Sequence, residues 1–374
     1  MNRKTSIAIL GTRGLPPKYG GFETIAKHLS KELSLRGFDV YVSCETKLLK
    51  PKASEEYYGA KLVYFPIIEA IRNLAEPGLY DMLSIFWASL KADHVLMLGC
   101  YFPPSLIVPR LLGRKVFVHV DGLEWKRRKF SRFLRFQLKQ FEKVIVKVSN
   151  KVLVDSLVIG QYYNQNYETA SLYVPTGVEE IQPFENSSAD ECLRKFKLSK
   201  QDYYLVIARL EPENNIDLIL AEFSKSHSKK KLAIVGPLKK SDFVKKILEC
   251  HDNRVIFLGG VFDPQIQRTL RHNCFVYVHG HEVGGANPSL IEALSCKNVT
   301  LALDCPYNRE VAENSAVYFN KTPEDFKLKL ERLEESHNSI DEKSAIAYSL
   351  YRKKYSIGFM VDTLESLFKQ YAVI

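Results

Sequence analysis

Short, dense apolar runs alternate with segments of helix length along almost the whole chain, and this alternation restricts the fold more than any other feature. In the first half, residues 7–10, 40–43, 61–65, 95–98, 116–119 and 152–154 read as buried strands. Between them, residues 23–36 carry Ile25, Leu29 and Leu33 at helical spacing, with Gly37 where a helix C-cap is expected. Residues 79–90 and 128–148 predict two more helices. Strands separated by helices imply a parallel sheet covered on both faces. A polar stretch, 179–200, reads as a connection. The alternation then restarts at 203–207, 216–223, 231–235, 255–258, 275–278, 290–295 and 300–303. The expected fold class is α/β, with two doubly wound Rossmann-like lobes facing a central cleft.

The composition suits this reading. Of the 374 residues, 46% are hydrophobic and 26% charged, within the range of ordinary globular chains rather than disordered ones. Seven scattered cysteines form no CxxC pair, so neither a disulfide framework nor a zinc site is indicated. No apolar stretch is long enough to span a bilayer, and the run 6–10 is too short for a signal-peptide core. A cytoplasmic location is expected. The charge is uneven: residues 110–151 hold thirteen Lys and Arg against three acids, a surplus of ten that equals the net charge of the whole chain.

Four segments can carry chemistry. The glycine-containing stretch 11–23 follows the first strand and precedes the first helix, where an α/β fold presents backbone amides to a ligand. It lacks GxGxxG, so a dinucleotide fingerprint is absent, but Gly20 and Gly21 would let the backbone approach a diphosphate or sugar. Residues 280–292 are more specific. A loop containing Gly284 and Gly285 leads into Asn287, a good N-cap, then Pro288, suited to the first helical position, and Ser289. Amides and the helix dipole there favour an anion, and Glu292, one turn further in, can accept hydrogen bonds from a ribose. Arg209 ends the strand 203–207 and suits bidentate binding of a diphosphate. In 119–129, Asp121 and Glu124 close a buried strand and can act as a base or bind sugar hydroxyls, while Trp125 offers a face to a sugar ring. The Asp-Gly pair there also fits a plain turn.

The helix 128–148 has an apolar stripe of Phe130, Phe133, Leu134, Leu138, Phe141, Val144, Ile145 and Val148. Its second stripe is Arg128, Arg132, Arg135, Lys139, Lys143 and Lys147. The apolar stripe is expected to face inward, and the cationic one to meet an anionic membrane surface. No nucleic-acid recognition motif is present.

Taken together, residues 11–23, 119–126, 155–156, 208–217, 284–292 and 308–310 resemble the retaining GT-B glycosyltransferases of family 4. They resemble in particular its rhamnosyltransferase branch of bacterial capsule and cell-wall polysaccharide synthesis, with a DUF1972-type amino-terminal domain. The strings GTRGLPPKYGGFET, DGLEWKR and ARLEPENNID carry that resemblance. It implies an acceptor-binding lobe over residues 1–178, a nucleotide-sugar lobe over 179–356, and a terminal helix, about 357–371, returning to the first lobe. It implies that Gly20 and Gly21 line the diphosphate and sugar, that Arg209 binds phosphate, and that Glu292 holds the ribose. The donor would be dTDP-L-rhamnose or another nucleoside diphosphate sugar, the acceptor a lipid-linked saccharide at the inner membrane face, and no catalytic metal or other cofactor would be used. Two positions depart from the family pattern. The first glutamate of the paired-glutamate motif is Gly284 here, with Glu282 close enough to stand in as a catalytic acid, and the lysine that follows the phosphate-binding arginine is Asn214.

Overall fold

The computed structural model describes residues 4–17, 21–46, 55–67, 76–120, 122–126, 131–183, 186–283 and 285–372. The chain forms two compact units, Met1–Gly177 with Ile357–Ile374, and Val178–Ser356.

In the first unit the order is β1 (Ser6–Leu10), α1 (Gly21–Leu35), β2 (Asp39–Thr46), β3 (Glu56–Tyr57), β4 (Ala60–Pro66), α2 (Glu76–Lys91) and β5 (His94–Leu98). It continues with α3 (Ile107–Leu111), β6 (Lys115–His119), α4 (Arg132–Val148), β7 (Lys151–Val154), α5 (Leu157–Tyr167) and β8 (Leu172–Tyr173). The strands lie in the order β3-β4-β2-β1-β5-β6-β7-β8. All pairings are parallel except the short β3–β4 hairpin. From β1 the chain moves one way to β2, then returns the other way through β5, β6 and β7. Right-handed crossovers therefore put α1 on one face of the sheet and α2, α3 and α4 on the other. On the α1 face, Ile7, Ile9, Val40 and Leu96 meet Leu29 and Leu33 in a dry core.

In the second unit the order is α6 (Asn186–Lys195), β9 (Tyr203–Ile207), α7 (Ile216–Phe223), β10 (Lys231–Val235), α8 (Asp242–Leu248), β11 (Val255–Gly259) and α9 (Pro264–Asn273). There follow β12 (Val276–His279), α10 (Pro288–Ser295), β13 (Thr300–Leu303), α11 (Pro306–Ala312), β14 (Ala316–Phe319), α12 (Asp325–Glu335) and α13 (His337–Leu350). Six parallel strands run β11-β10-β9-β12-β13-β14. The last helix, α14 (Ile357–Gln370), packs on α1 and adds Met360, Val361, Leu364, Leu367 and Phe368 to the first unit's core.

Two expectations need correction. The polar stretch 179–200 contains α6, whose Ala189 and Leu193 are buried four residues apart. In α4 the inward side is centred on Glu142 and Ile145, while Phe133 and Leu134 of the expected inward stripe are exposed. Its helix starts at Arg132, where the Ser131 side chain accepts from the Leu134 amide.

Candidate active site

In open α/β sheets ligands collect at the carboxyl ends of the strands. In the second unit that edge carries the ends of β9 and β12 and the start of α10. Asn287 caps α10: its side chain accepts from the Ser289 amide at 3.0 Å, and its carbonyl accepts from Leu290. Pro288 occupies the first helical position. The first-turn amides are thus already satisfied. The donors left for an anion are in the loop, where, among the described residues, the amides of Gly285, Ala286 and Asn287 meet no acceptor. Gly284 lies outside the described residues.

The Ser289 hydroxyl donates to the Ile207 carbonyl at 3.0 Å, and Tyr277 lies 2.5 Å from the same hydroxyl. This ties α10 to the end of β9, so Arg209, two residues beyond Ile207, shares an edge with the loop. Arg209 is half-exposed and only loosely paired, 3.8 Å from Glu211. Ser289, expected as a donor contact, makes this tie.

The loops after β9 and β12 are stapled together. Asn214 Nδ2 donates to the Arg209 carbonyl at 2.7 Å, while its Oδ1 pairs with His281 Nδ1 at 2.8 Å. Asn215 Nδ2 donates to the Gly280 carbonyl at 2.8 Å. A Cβ on Gly280 would stand 2.3 Å from the Asn214 carbonyl oxygen, so this close approach needs glycine. Where the family pattern has a lysine, Asn214 therefore builds the loop. His279, beneath it, is buried and held neutral, its pKa pushed down to about 3 by desolvation and then by His281.

Glu292 is gripped from below. Arg271 on α9 donates from one terminal nitrogen to Glu292 Oε2 and from the other to Gln267 Oε1. The Arg271 side chain is 2% exposed and that of Glu292 31%. One carboxylate oxygen is thus fixed by a buried cation, and the other remains available as an acceptor. Glu282 is placed differently: its carboxylate pairs with Lys321 at 2.7 Å, and its amide donates to the Glu213 carbonyl. Sequence reasoning missed Arg271, for nothing local marks it.

At the corresponding edge of the first unit, the loop after β1 is tied down on three sides. Tyr80 donates to the Thr12 carbonyl, the Glu45 amide to Arg13, and the Arg13 amide to the buried Glu23 carboxylate. Gly21 opens α1, and a Cβ added there would meet no atom of the described residues within 4 Å. Gly20 and Asp121 lie outside the described residues. Glu124 is in a short turn of helix, Glu124–Lys126, its side chain outside the described set. Trp125 is half-buried, with Lys139 Nζ 4.7 Å from its ring centroid and Tyr162 beside it.

Of the cationic stripe on α4, Arg132, Lys143 and Lys147 are exposed. Arg135 and Lys139 are internal ties rather than solvated charges. Arg135 Nε donates to the Trp125 carbonyl at 2.7 Å, and Lys139 donates to Tyr162 and to the buried Glu142. Arg128 lies outside the described residues.

A buried acid was also missed, though its signal was in the sequence: Asp81 is the one charged residue in the segment 79–90. It accepts from the amides of Tyr101 (2.6 Å) and Phe102 (3.3 Å), fixing the loop after β5 at this edge. Burial, outweighing those hydrogen bonds, raises its pKa to about 7. The folded chain therefore binds a proton that the unfolded chain releases near pH 4. Asp81 accordingly makes stability fall as pH rises from about 4 to about 7. Buried His94, whose pKa is lowered by desolvation, acts in the opposite sense. Melting curves at pH 5 and 7.5 should show a smaller loss on raising pH, or a larger gain, in Asp81→Asn than in the wild type. Identical pH responses would refute the assignment.

Residues 190–349 match the family model for glycosyl transferases group 1, and residues 4–179 match the model for a domain of unknown function, DUF1972. The carboxyl-terminal part of the chain is a group 1 glycosyltransferase domain. No curated protein matches it in sequence. Among solved structures, the glycosyltransferase is similar to sucrose-phosphate synthase from Thermosynechococcus elongatus (TM-score 0.79, 14% identity, covering 98% of this chain and 99% of that one). A glycosyltransferase from Rickettsia africae gives 0.77 at 14% identity, covering 98% of each chain. Anabaena HepE in complex with UDP gives 0.76 at 13%, covering 98% of this chain and all of the other. At these identities the likeness is one of fold, and it places the glycosyltransferase among GT-B structures with two parallel-sheet lobes.

Proposed function

We propose that this glycosyltransferase moves a sugar, with retention of configuration, from a nucleoside diphosphate donor, and that the donor is dTDP-L-rhamnose. The acceptor in this reading is a lipid-linked saccharide of bacterial surface polysaccharide synthesis, met at the inner face of the plasma membrane. The observation that carries the nucleotide part is the edge of the second unit: amides at Gly285–Asn287 that meet no acceptor among the described residues, on the edge that also carries Arg209, with Glu292 set one turn into α10 by a buried arginine. Amides and guanidinium take up charge on the leaving diphosphate, and the open oxygen of Glu292 accepts from ribose hydroxyls. The solved structures of HepE, one with UDP and one with UDP-glucose, support a nucleotide sugar as donor, and they keep a UDP-hexose as the second reading. The rhamnose assignment is supported by the sequence strings shared with that branch and by Gly284 standing where relatives carry a donor-sugar acid.

The test is a thermal-shift panel of dTDP, UDP, GDP and NAD, followed by incubation with the matching nucleotide sugars and lipid-linked acceptors, read by mass spectrometry. Stabilisation by dTDP and product from dTDP-rhamnose are expected. Product from a UDP-hexose alone would move the assignment to the second reading, and stabilisation by NAD alone would sink the transferase mechanism.

A further inference from the structure

The helical layer formed by α2, α3 and α4 has an outer surface that is both apolar and cationic. On α2, Leu83, Phe86 and Leu90 point to solvent at positions three, then four residues apart, the outer stripe of a helix whose other side is core. On α3, Ile107 and Leu111 are exposed, Leu111 to 80%. On α4, Phe133 and Phe136 are exposed to 70% and 62%. The three helices are neighbours: α2 packs on α3 and on the turn Pro103–Leu106, and α4 packs on that same turn. Soluble chains rarely leave so many large apolar side chains exposed on neighbouring helices without a partner.

Charge decides which partner. Arg110, Arg132, Lys143 and Lys147 stand exposed on the same layer. Among the described side chains of the three helices only two are acidic, Asp81 and Glu142, and both are buried. A protein partner matched to this face would have to be uniformly acidic and apolar together. An anionic bilayer supplies both properties at once, headgroup charge above and acyl chains below.

We infer that this three-helix face inserts its apolar side chains into an anionic bilayer, with the arginines and lysines of α3 and α4 held at headgroup level. The inference rests on the reading that the glycosyltransferase works at a membrane surface, and it changes the means of attachment. A cationic stripe alone gives attraction that salt removes; insertion gives contact that survives salt.

Full-length protein would be sedimented with vesicles of phosphatidylcholine alone and of equal parts phosphatidylcholine and phosphatidylglycerol. Wild type is expected to bind the mixed vesicles, keeping measurable binding in about 0.5 M sodium chloride, which screens charge beyond a few ångström. Phe86→Ser/Leu111→Ser/Phe136→Ser should bind about tenfold or more weakly, with an unchanged nucleotide response in the thermal-shift panel. Arg132→Glu/Lys143→Glu/Lys147→Glu should lose the preference for phosphatidylglycerol. As a readout independent of folding losses, Leu111→Trp should shift its emission to the blue on vesicle addition, measured against the wild-type background. An unshifted spectrum, or wild-type binding by the serine variant while the charge-reversed variant loses it, would overturn insertion and leave an electrostatic surface. No vesicle binding by wild type would overturn both insertion and the membrane reading, and self-association that the serine variant abolishes would assign the face to a second copy of this chain instead.

Discussion

Glu292→Gln is expected to cost about 3 kcal/mol of stability and to weaken nucleotide binding about tenfold or more. The two losses have different origins. Arg271 cannot shed its proton, and its side chain is almost wholly buried. Replacing the opposing carboxylate by a neutral amide leaves a buried cation without its counter-charge, since Gln267 is neutral too. The cost stays at the low end for a broken buried pair because Glu292 is a third exposed and water can enter from its side. The affinity loss comes from the face turned to the ligand, where the open carboxylate oxygen is replaced by an amide NH2 that cannot accept from a ribose hydroxyl while the one amide oxygen faces Arg271. Arg271→Met/Glu292→Gln separates them. With both charges gone, stability should return to within about 1 kcal/mol of wild type, while affinity stays low. Urea unfolding and calorimetric titration with dTDP and UDP measure the two. A double variant that bound nucleotide like wild type would remove Glu292 from the site.

The second large effect is expected from Phe368→Ala, a loss of about 3–5 kcal/mol. The ring is fully buried and lies 5.7 Å from His94, 5.6 Å from Phe117 and 6.2 Å from Phe38. It closes the core of the first unit, although its helix comes last in the chain. Hydrogen exchange should therefore show lost protection in β1, β5 and β6 and little change in β9 and β12. Uniform loss in both units, or none in the first, would refute the assigned packing.

Much of the fold was legible because the signal was local. The strands Tyr203–Ile207, Lys231–Val235 and Thr300–Leu303 coincide with the apolar runs residue for residue, since a central parallel strand is buried on both faces and has no polar alternation to blur it. The two-residue strands β3 and β8 were not legible. Each is held by one neighbour, and so short a run carries no period. The helix α6 was hidden by the polar residues around Ala189 and Leu193.

The site divides along the same line. Asn287 and Pro288 announce a helix start by their own chemistry, and the cap is where the sequence puts it. That the cap itself satisfies the first-turn amides, leaving the loop amides for a ligand, follows from hydrogen bonds that only the folded loop defines. Similarly, the charge surplus of residues 110–151 is a property of the sequence. Which of those charges meet water is not: Arg135 and Lys139 turn inward to Trp125, Tyr162 and Glu142, and Phe133 and Phe136 turn out.

The sequence by itself determined the α/β class, the strand runs, the helix cap and the glycine loop, because each depends on residues within a few positions of one another. The tertiary structure decided what stands opposite each charge and which side of each helix is dry. Arg271 reaches Glu292, and Asp81 the amides after β5, through contacts set by how strands stack and crossovers turn, and no period within a single segment encodes those distances.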